Sequence, residues 1–319
     1  MVIAGTLIED TYAEAFTLRV ARLLITADDT GLARTAATAM TGFAASIIGC
    51  GCEAGIEGPP PPNTPDGRPG LRVLAFGRTA AELQDQLVRR VGNCVMTAAT
   101  AACYDDLPSD ETVRLGSMLR FFGDGHQVSK RVDPALATLA EGAALAGGAV
   151  QPRRLWRIPV MDGEFVVDAR CGVQKGVAGG NFLILGRTPG ATLDAARRAV
   201  AAIGAVPGVI LPFPGGIVRS GSKVGSRYRR LVASTNTAYC PTLRAVVPTA
   251  LPGDVASVLE IVIDGLTAAD VAAAMVAGIR AACDPGIARI GAGNYGGRLG
   301  KHLFHLRPLL GAGGGKDAT

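Results

Sequence analysis

Three glycine-rich segments are the parts of this sequence where backbone, rather than side chains, dominates. They are Pro212–Ser226 (PFPGGIVRSGSKVGS), Gly176–Phe182 (GVAGGNF) and Gly291–Gly300 (GAGNYGGRLG). The first directly follows the apolar, strand-like Val209–Leu211, and a flexible linker is rarely placed in that way. Glycine lets the backbone approach a ligand closely and proline fixes a turn, so exposed N–H groups can bind anions or carbonyl oxygens. We therefore expect the chemistry in the second half of the chain.

A single carboxylate interrupts an otherwise apolar strand pattern. Glu260 lies within VLEIVI, and its neighbours on the same strand face are Val258 and Val262. Such a carboxylate either faces solvent at a sheet edge or occupies a partly dry pocket that raises its pKa. Composition alone favours the solvent-facing interpretation, because charged residues often alternate along strand faces. Asp264, on the same face, agrees with either interpretation.

Other polar groups suggest binding more than catalysis. Lys223 and the following Arg227, Arg229 and Arg230 give the first glycine-rich loop a positive field suited to a small anionic ligand. Asn236 belongs to a polar patch, STNT, which is typical of a hydrogen-bonded loop.

Several familiar sites are excluded. His302 and His305 suggest a metal site, but residues three apart on a strand point to opposite faces. The sequence has no GxSxG elbow, Walker loop or HExxH motif. A dinucleotide-binding motif requires a glycine-rich turn between a strand and a helix, with an acidic residue about 20 positions further on. Neither GAGNYGG nor GVAGGNF has this context, so we reject dinucleotide binding.

Composition indicates a globular protein with room for two domains. The chain has 319 residues, 48% of them apolar and 18% charged, and a net charge of +5. The charge forms no basic, aromatic-interleaved stripe, so we expect no nucleic-acid partner. The seven cysteines have irregular spacing, which is typical of reduced, buried thiols. The acidic N-terminal segment does not resemble a signal peptide and no apolar run is long enough to cross a membrane, so we expect a cytoplasmic protein without a membrane partner.

Strand and helix patterns alternate in the same rhythm in both halves. Predicted strands are Leu18–Thr26, Ala44–Cys50, Leu71–Phe76, Cys94–Thr100, Asn181–Leu185, Val209–Leu211, Ser257–Ile263, Ala288–Ile290 and His302–Leu306; predicted helices are Asp28–Met40, Thr79–Val91, Thr188–Ile203 and Thr267–Cys283. We predict an α+β protein of two ferredoxin-like lobes that arose by internal duplication, each an antiparallel sheet with helices on one face.

The predicted domains are 1–150 and 151–319, the second carrying the glycine-rich loops and a frayed tail, Gly311–Thr319. We expect an insertion or boundary at Pro134–Gly148 and a hairpin turn at Asp162-Gly163.

Taken together, these segments resemble the formylmethanofuran–tetrahydromethanopterin N-formyltransferase family. The resemblance is carried by the three glycine-rich loops and by IEDTYAEAF (Ile8–Phe16), CEAGIEG (Cys52–Gly58), TPDGRPG (Thr64–Gly70), GNCVMTAATA (Gly92–Ala101), FFGDG (Phe121–Gly125), ASTNTAYCPT (Ala233–Thr242) and LEIVIDGL (Leu259–Leu266). These motifs extend from one end of the chain to the other. The resemblance implies two ferredoxin-like lobes, association as a dimer or a dimer of dimers, and an active site in a cleft near a subunit contact.

The resemblance also implies a reaction. A formyl group would move reversibly between a methanofuran-type amine and N5 of tetrahydromethanopterin, which act as co-substrates without a tightly bound cofactor. The family's proposed catalytic glutamate falls on Glu260, which reverses the preference from composition. Candidate oxyanion donors are Gly179, Gly180, Asn181, Gly215 and Gly216. Pro214, Ser222, Lys223 and Asn236 are the remaining candidates for substrate contact.

The Ala/Arg-rich, basic composition differs from that of archaeal members and suggests a bacterial homologue that acts in formaldehyde oxidation to formate. Such homologues resemble the transferase subunit of a formyltransferase/hydrolase complex, so further subunits of that complex are expected partners. An alternative is a mainly structural subunit with little activity of its own. A third possibility is a ferredoxin-like regulator that binds a ligand. That function would not explain why the glycine-rich loops and Glu260 occur together. The methanofuran variant and the physiological direction stay open.

Overall fold

The computed structural model describes residues 1–132, 153–221 and 223–311. The predicted insertion Pro134–Gly148, the predicted domain boundary between residues 150 and 151, and the candidate site residue Ser222 lie outside the described residues. Residues 312–319 of the predicted tail also lie outside them.

Strands and helices alternate along the described chain, which is an α+β protein as predicted. The strands are β1 Val2–Ile3, β2 Thr6–Ile8, β3 Tyr12–Thr26, β4 Glu53–Glu57, β5 Gly70–Gly77, β6 Ala102–Asp105, β7 Thr112–Arg114, β8 Val128–Val132, β9 Arg153–Val160, β10 Gly163–Asp168, β11 Arg170–Gly172, β12 Gln174–Gly186, β13 Val209–Ile210, β14 Lys223–Val224, β15 Ala233–Ser234, β16 Ser257–Gly265, β17 Ile287–Gly291 and β18 His302–His305. The helices are α1 Thr30–Thr41, α2 Ile47–Cys50, α3 Ala80–Arg90, α4 Gly116–Leu119, α5 Pro189–Ile203, α6 Ala268–Ala282 and α7 Leu306–Gly311.

The longer helices begin where the sequence supplies a capping side chain. Thr79 accepts a hydrogen bond from the Glu82 N–H at the start of α3, and Thr267 accepts one from the Asp270 N–H at the start of α6. Asp29 and Thr188 cap α1 and α5 in the same way. Each cap satisfies a donor that the first helical turn leaves without an intrahelical partner, and replacing such a residue by alanine costs about 1 kcal/mol.

Two compact units divide the described chain. The first unit contains residues 19–174, and the second contains residues 1–18 together with the chain from Lys175 onward. Residues 1–18 thus group with the C-terminal half and residues 153–174 with the N-terminal half, whereas the predicted domains 1–150 and 151–319 assign both segments the other way. The pairing of β2 with β17 explains the grouping of the first residues.

In the first unit, hydrogen-bonded strands follow the order β4–β5–β3–β6–β10–β9–β8. Apart from the short helix α2, the elements from β3 to β6 form a β-α-β-β-α-β sequence, β3-α1-β4-β5-α3-β6, with antiparallel neighbours. Helices α1 and α3 cover the same sheet face, because Met40 and Leu83 belong to one core with Leu23 and Ile25.

The second unit repeats this arrangement with β12-α5-β13-β16-α6-β17. The strand order is β13–β16–β12–β17–β2–β1, and the strands of the repeated part are again antiparallel. Phe182, Ile261 and Ile263 form a core with Ala199 of α5 and Met275 of α6. Burying side chains as large as Phe182 contributes about 1.5–3 kcal/mol each, so the packing of α5 and α6 stabilises the sheet that contains β12 and β16.

The structure corrects three sequence predictions. The sheets are mixed rather than antiparallel, because β6 pairs with β10, and β17 with β2, in parallel. The predicted strands Ala44–Cys50 and Cys94–Thr100 are wrong: the first region contains helix α2, and the second begins in a π-helical turn, Val91–Val95. Short apolar runs do not distinguish a strand from a helical turn. The predicted hairpin is present, but its turn lies one residue before Asp162-Gly163: Val160 pairs with Gly163, so Met161 and Asp162 form the turn.

Two kinds of feature do not occur among the residues that the structure describes. Their helices include none that is long and apolar enough to cross a membrane. In the same residues, no group of three or more histidine, cysteine or acidic side chains converges to hold a metal ion.

Candidate active site

The antiparallel strands β12 and β16 place several candidate residues on one face of the second unit's sheet. In their register Glu260 lies opposite Leu183, and Asn181 lies opposite Val262. Side chains alternate along a strand, so Glu260, Val262 and Asp264 share one face while Ile261 and Ile263 point into the helix-covered core. Asp264 is four residues from Glu260, about 13 Å along an extended strand, which is too far for a carboxylate pair.

Glu260 is buried beneath the first glycine-rich loop. It is 4% exposed, and its N–H and C=O exchange hydrogen bonds with Val218 at 2.9 and 2.8 Å. The residue lines a small cavity of about 30 Å³ together with Ser220, Gly221, Asn236 and Tyr239. The solvent-facing interpretation of Glu260 is therefore wrong, because a neighbouring segment covers this strand.

The two ends of the loop Pro212–Ser226 differ in what they contact. Val218 pairs with Glu260, but Pro214 and Gly215 are exposed and do not line the cavity. Gly215 and Gly216 have φ angles of +65° and +76°, in the left-handed region that favours glycine. The Gly216 N–H donates to the Phe213 carbonyl oxygen at 2.8 Å, so this predicted oxyanion donor is already engaged.

Lys223 and Asn236 lie on the two arms of a short hairpin. Lys223 in β14 pairs with Ser234 in β15, and the Asn236 N–H donates to the Ser220 carbonyl oxygen at 3.3 Å. Only Asn236 of this pair lines the cavity described above. Among the predicted substrate contacts that the structure describes, Asn236 is therefore the one that shares a cavity with Glu260.

The segment Gly176–Phe182 has mainly a positioning role. Gly179 has a φ of +91° at an irregularity in β12, and its N–H donates to the buried Asp264 carboxylate at 2.9 Å. A Cβ atom on Gly180 would overlap the Val271 side chain, so this glycine permits helix α6 to pack closely on the sheet. The Gly179 N–H is therefore engaged within the protein, and Gly180 contributes to packing.

Asn181 ties two glycine-rich segments together. Its side-chain Nδ2 donates to the carbonyl oxygens of Gly179 at 3.0 Å and Gly293 at 3.1 Å, and its Oδ1 accepts from the Gly293 N–H at 2.6 Å. The side chain is 7% exposed. Because its amide groups are used within the protein, Asn181 fixes the entry of the loop that follows β17.

That loop wraps around a carboxylate of the protein itself. Glu14, 1% exposed, accepts hydrogen bonds from the backbone N–H groups of Tyr295, Gly297, Leu299 and Gly300 at 2.7, 2.9, 2.6 and 2.5 Å. Burial raises the pKa of Glu14, but these four donors outweigh it and hold the pKa below its ordinary value. The backbone N–H groups of GAGNYGGRLG thus bind a carboxylate of the protein itself.

Tyr295 is a candidate that the sequence prediction missed. Its half-buried ring lies 6.2 Å from the Phe16 ring, centre to centre. Burial raises the pKa of its phenol, and the negative charges of Glu260 and Glu14 raise it further. A tyrosine inside a glycine-rich loop was the available signal.

The chain is similar over nearly its whole length to proteins of one family. The profile described as formylmethanofuran-tetrahydromethanopterin formyltransferase matches residues 1–138, and that of the proximal lobe of the same family matches residues 163–309. A formylmethanofuran–tetrahydromethanopterin formyltransferase from Methylococcus capsulatus is 50% identical over 315 residues, covering 97% of this chain and 100% of the relative. One subunit of the formyltransferase/hydrolase complex from Methylorubrum extorquens is 50% identical over 312 residues, covering 96% of each chain.

Solved structures agree. A chain in the crystal structure of the Methylorubrum extorquens formyltransferase/hydrolase complex, determined with methylofuran, is 48% identical, with a TM-score of 0.89 and coverage of 97% of this chain and 98% of that chain. The formyltransferase from Methanosarcina barkeri is 43% identical, with a TM-score of 0.86 and coverage of 97% and 100%. The chain therefore belongs to the formylmethanofuran–tetrahydromethanopterin formyltransferase family and is an enzyme of that family.

Proposed function

We propose that this enzyme transfers a formyl group reversibly between the amine of a methanofuran-type carrier and N5 of tetrahydromethanopterin. The observation that carries the proposal is the buried carboxylate of Glu260, which lines a cavity beside Asn236 and the first glycine-rich loop. Full-length identity of 50% to named formyltransferases supports the choice of substrates.

The chemistry requires a group that both accepts and donates a proton. N5 attacks the formyl carbon, a C–N bond forms, and the carbonyl π electrons move to the oxygen. The Glu260 carboxylate takes the N5 proton, and the resulting carboxylic acid protonates the departing methanofuran nitrogen. The old C–N bond breaks, the C=O bond re-forms, and Glu260 returns to its starting state. Neither a covalent enzyme intermediate nor a prosthetic group takes part in this sequence.

A carboxyl group can transfer protons between the two substrate nitrogens only where water is kept from hydrogen bonding to it. Ile261 and Ile263 anchor the strand in the core, and Val218 covers it through a pair of backbone hydrogen bonds. We propose that this covering keeps water away from the Glu260 carboxyl group, so that it can exchange protons with the substrates.

Substrate contacts by Pro214, Gly215, Ser222, Lys223 and Asn236 stay predictions. For Gly179, Gly180, Asn181 and Gly216 we now propose a positioning role, since the Gly179 and Gly216 N–H groups and the Asn181 amide bond within the protein. Gly180 instead provides the space in which α6 packs.

We further propose that each unit is a ferredoxin-like lobe and that the two arose by duplication. Support comes from the repeated β-α-β-β-α-β order and from matching strand orders, β4–β5–β3–β6 and β13–β16–β12–β17.

The cellular setting is also a proposal. Because the Methylorubrum extorquens relative is named as a subunit of a formyltransferase/hydrolase complex, we propose that this chain works with such partners in formaldehyde oxidation to formate. A dimer or a dimer of dimers, and a cytoplasmic location, stay predictions.

The test is formyl transfer by the purified chain with both carriers, comparing wild type with Glu260→Gln. Loss of the proton-transfer group should lower kcat by about 10²- to 10⁴-fold. The matched control is Glu164→Gln, a strand glutamate that pairs with Arg157 at the surface of the first unit. Unaltered turnover in a folded Glu260→Gln protein would contradict the proposed role. Negligible wild-type transfer that appears only with partner subunits would favour the structural alternative.

A further inference from the structure

The hairpin formed by β14 and β15 is joined to the Glu260 cavity at both of its ends. Gly221, which precedes β14, and Asn236, which follows β15, both line that cavity. The two residues approach closely, because a Cβ atom on Gly221 would lie 2.7 Å from the Asn236 Cβ. The Asn236 N–H also donates to the Ser220 carbonyl oxygen at 3.3 Å. The hairpin therefore starts and ends at the wall of the cavity.

Hydrogen bonds continue beyond the two short strands toward the tip of the hairpin. The Gly225 N–H donates to the Val232 carbonyl oxygen at 2.8 Å, and the Leu231 N–H donates to the Tyr228 carbonyl oxygen at 3.0 Å. The Ser234 hydroxyl donates to the Gly225 carbonyl oxygen at 2.7 Å. The tip thus has a defined backbone, from which its side chains project.

The tip concentrates positive charge. Arg227, Arg229 and Arg230 are all exposed, and the sequence has no acidic residue between Asp194 and Asp254. Among the residues that the structure describes, none forms an ion pair with these three arginines. Like charges this close together repel one another, so an anion bound among them would be stabilised by all three.

Apolar side chains are exposed beside these arginines. Tyr228, Leu231 and Val232 are 71%, 54% and 63% exposed. Tyrosine and arginine are enriched at binding surfaces, where apolar contact and charge are combined. The tip therefore fits a ligand that carries negative charge next to an apolar part.

We propose that the hairpin tip binds an anionic group, carboxylate or phosphate, on one of the two carriers while the reacting end of that carrier lies beside Glu260. The inference rests on the proposed function and adds the chemical class of the segment that the enzyme recognises away from the reacting atoms. Arg227 is six residues from Gly221, so their backbones lie no more than about 20 Å apart. The recognised anion thus belongs to a part of the carrier that is remote from the transferred formyl group.

Guanidinium groups suit carboxylate and phosphate oxygens, because their N–H donors lie in one plane at the spacing of two such oxygens. At exposed positions each contact is weak and is screened by salt. A contact remote from the reacting atoms is equally strong in the ground state and in the transition state, so it lowers KM without changing kcat.

The first test is formyl transfer by a full-length variant that has lost the three charges of the tip. The substitutions are Arg227→Gln, Arg229→Gln and Arg230→Gln. The KM of the carrier that bears the anion should rise by about 5- to 50-fold, since each exposed ion pair contributes a few-fold in affinity, and kcat should stay at the wild-type value. Wild-type KM values for both carriers would overturn the inference while leaving the proposed function intact.

The matched control removes three other exposed arginines, all in the first unit. Its substitutions are Arg34→Gln, Arg89→Gln and Arg114→Gln. The control loses the same net charge, so its KM values should match those of wild type. An equal rise in KM in the control would show that overall charge, rather than the hairpin tip, is responsible.

Salt provides a second readout. The KM of the anionic carrier should rise with sodium chloride for the wild type and much less for the tip variant, because the screened attraction is already lost there. Parallel salt dependence in both proteins would contradict binding at the tip. Unchanged KM values combined with lost binding of an acidic partner protein would show that the tip binds protein instead, which also overturns the inference.

Direct binding separates the inference from the proposed function. Calorimetric titration with tripolyphosphate and with tricarballylate distinguishes a phosphate ligand from a carboxylate ligand, and one of the two should bind the wild type more tightly than the tip variant. An inactive wild type would overturn the proposed function. An inactive wild type that binds neither anion would overturn the inference as well.

Discussion

Asn181 and Gly293 exchange two hydrogen bonds: the Gly293 N–H donates to Asn181 Oδ1 at 2.6 Å, and Asn181 Nδ2 donates to the Gly293 carbonyl oxygen at 3.1 Å. The pair joins two glycine-rich segments that are more than 100 residues apart in the chain. A side-chain amide can satisfy both backbone atoms at once, because it carries a donor and an acceptor side by side.

Asn181→Ala should therefore destabilise the protein. It leaves the half-buried backbone groups of Gly293 without these partners, which costs about 1–3 kcal/mol. Urea unfolding measures the change, with Asn63→Ala, an exposed asparagine, as the control. Unaltered stability of Asn181→Ala would contradict the positioning role.

Gly180→Ala should also destabilise, through packing rather than hydrogen bonding. The added Cβ overlaps Val271 of α6, and overpacking of this kind costs about 1–3 kcal/mol. Gly190→Ala is the matched control, because a Cβ there meets nothing within 4 Å. If thermal unfolding places both variants at the wild-type Tm, Gly180 is not required for the packing of α6.

The Glu14 carboxylate should stabilise the protein only while it is ionised. Its folded-state pKa lies below the ordinary value of 4.5, so its contribution is complete above that value and is lost as the pH falls through the lower, folded-state pKa. The difference in unfolding free energy between wild type and Glu14→Gln should be constant near neutral pH and shrink in acid. A difference that persists unchanged in strong acid would argue against an ionised Glu14 carboxylate in the folded protein.

Asp105 in the first unit should behave in the opposite way. Burial raises its pKa from 3.8 to about 6, with Asp168 adding to the shift and the Gly172 N–H and Arg153 opposing it. The folded state then binds more protons than the unfolded chain, so its contribution to stability falls as the pH rises from 3.8 to about 6 and is level above that.

Asp105→Asn removes this dependence, so the stability of the variant relative to wild type should rise over the same pH interval. Urea titrations at several pH values check it, with the exposed Asp110→Asn as the control. A relative stability that does not change with pH would show that Asp105 keeps an ordinary pKa in the folded chain.

The sequence predicts secondary structure correctly where neighbouring residues decide it, as at helix caps and in strands with a clear apolar pattern. The helices predicted from Thr79, Thr188 and Thr267 begin one residue later, with these threonines as their caps, and the predicted strand Ser257–Ile263 is present as β16. The prediction is wrong at Ala44–Cys50 and Cys94–Thr100, where short apolar runs suit either a strand or a helical turn. The parallel pairs β6/β10 and β17/β2 could not be predicted, because edge pairing depends on long-range contacts.

For the site, the sequence by itself determined the candidates: a carboxylate at position 260 in an apolar strand, and three glycine-rich segments in the second half of the chain. Only the tertiary structure decided what each group does. Val218 covers Glu260, the Asp264 carboxylate accepts the Gly179 N–H, and the Glu14 carboxylate accepts N–H groups of the third loop. The physical reason is that a backbone N–H is identical at every residue, so its partner is set by which segments the fold brings within hydrogen-bonding distance.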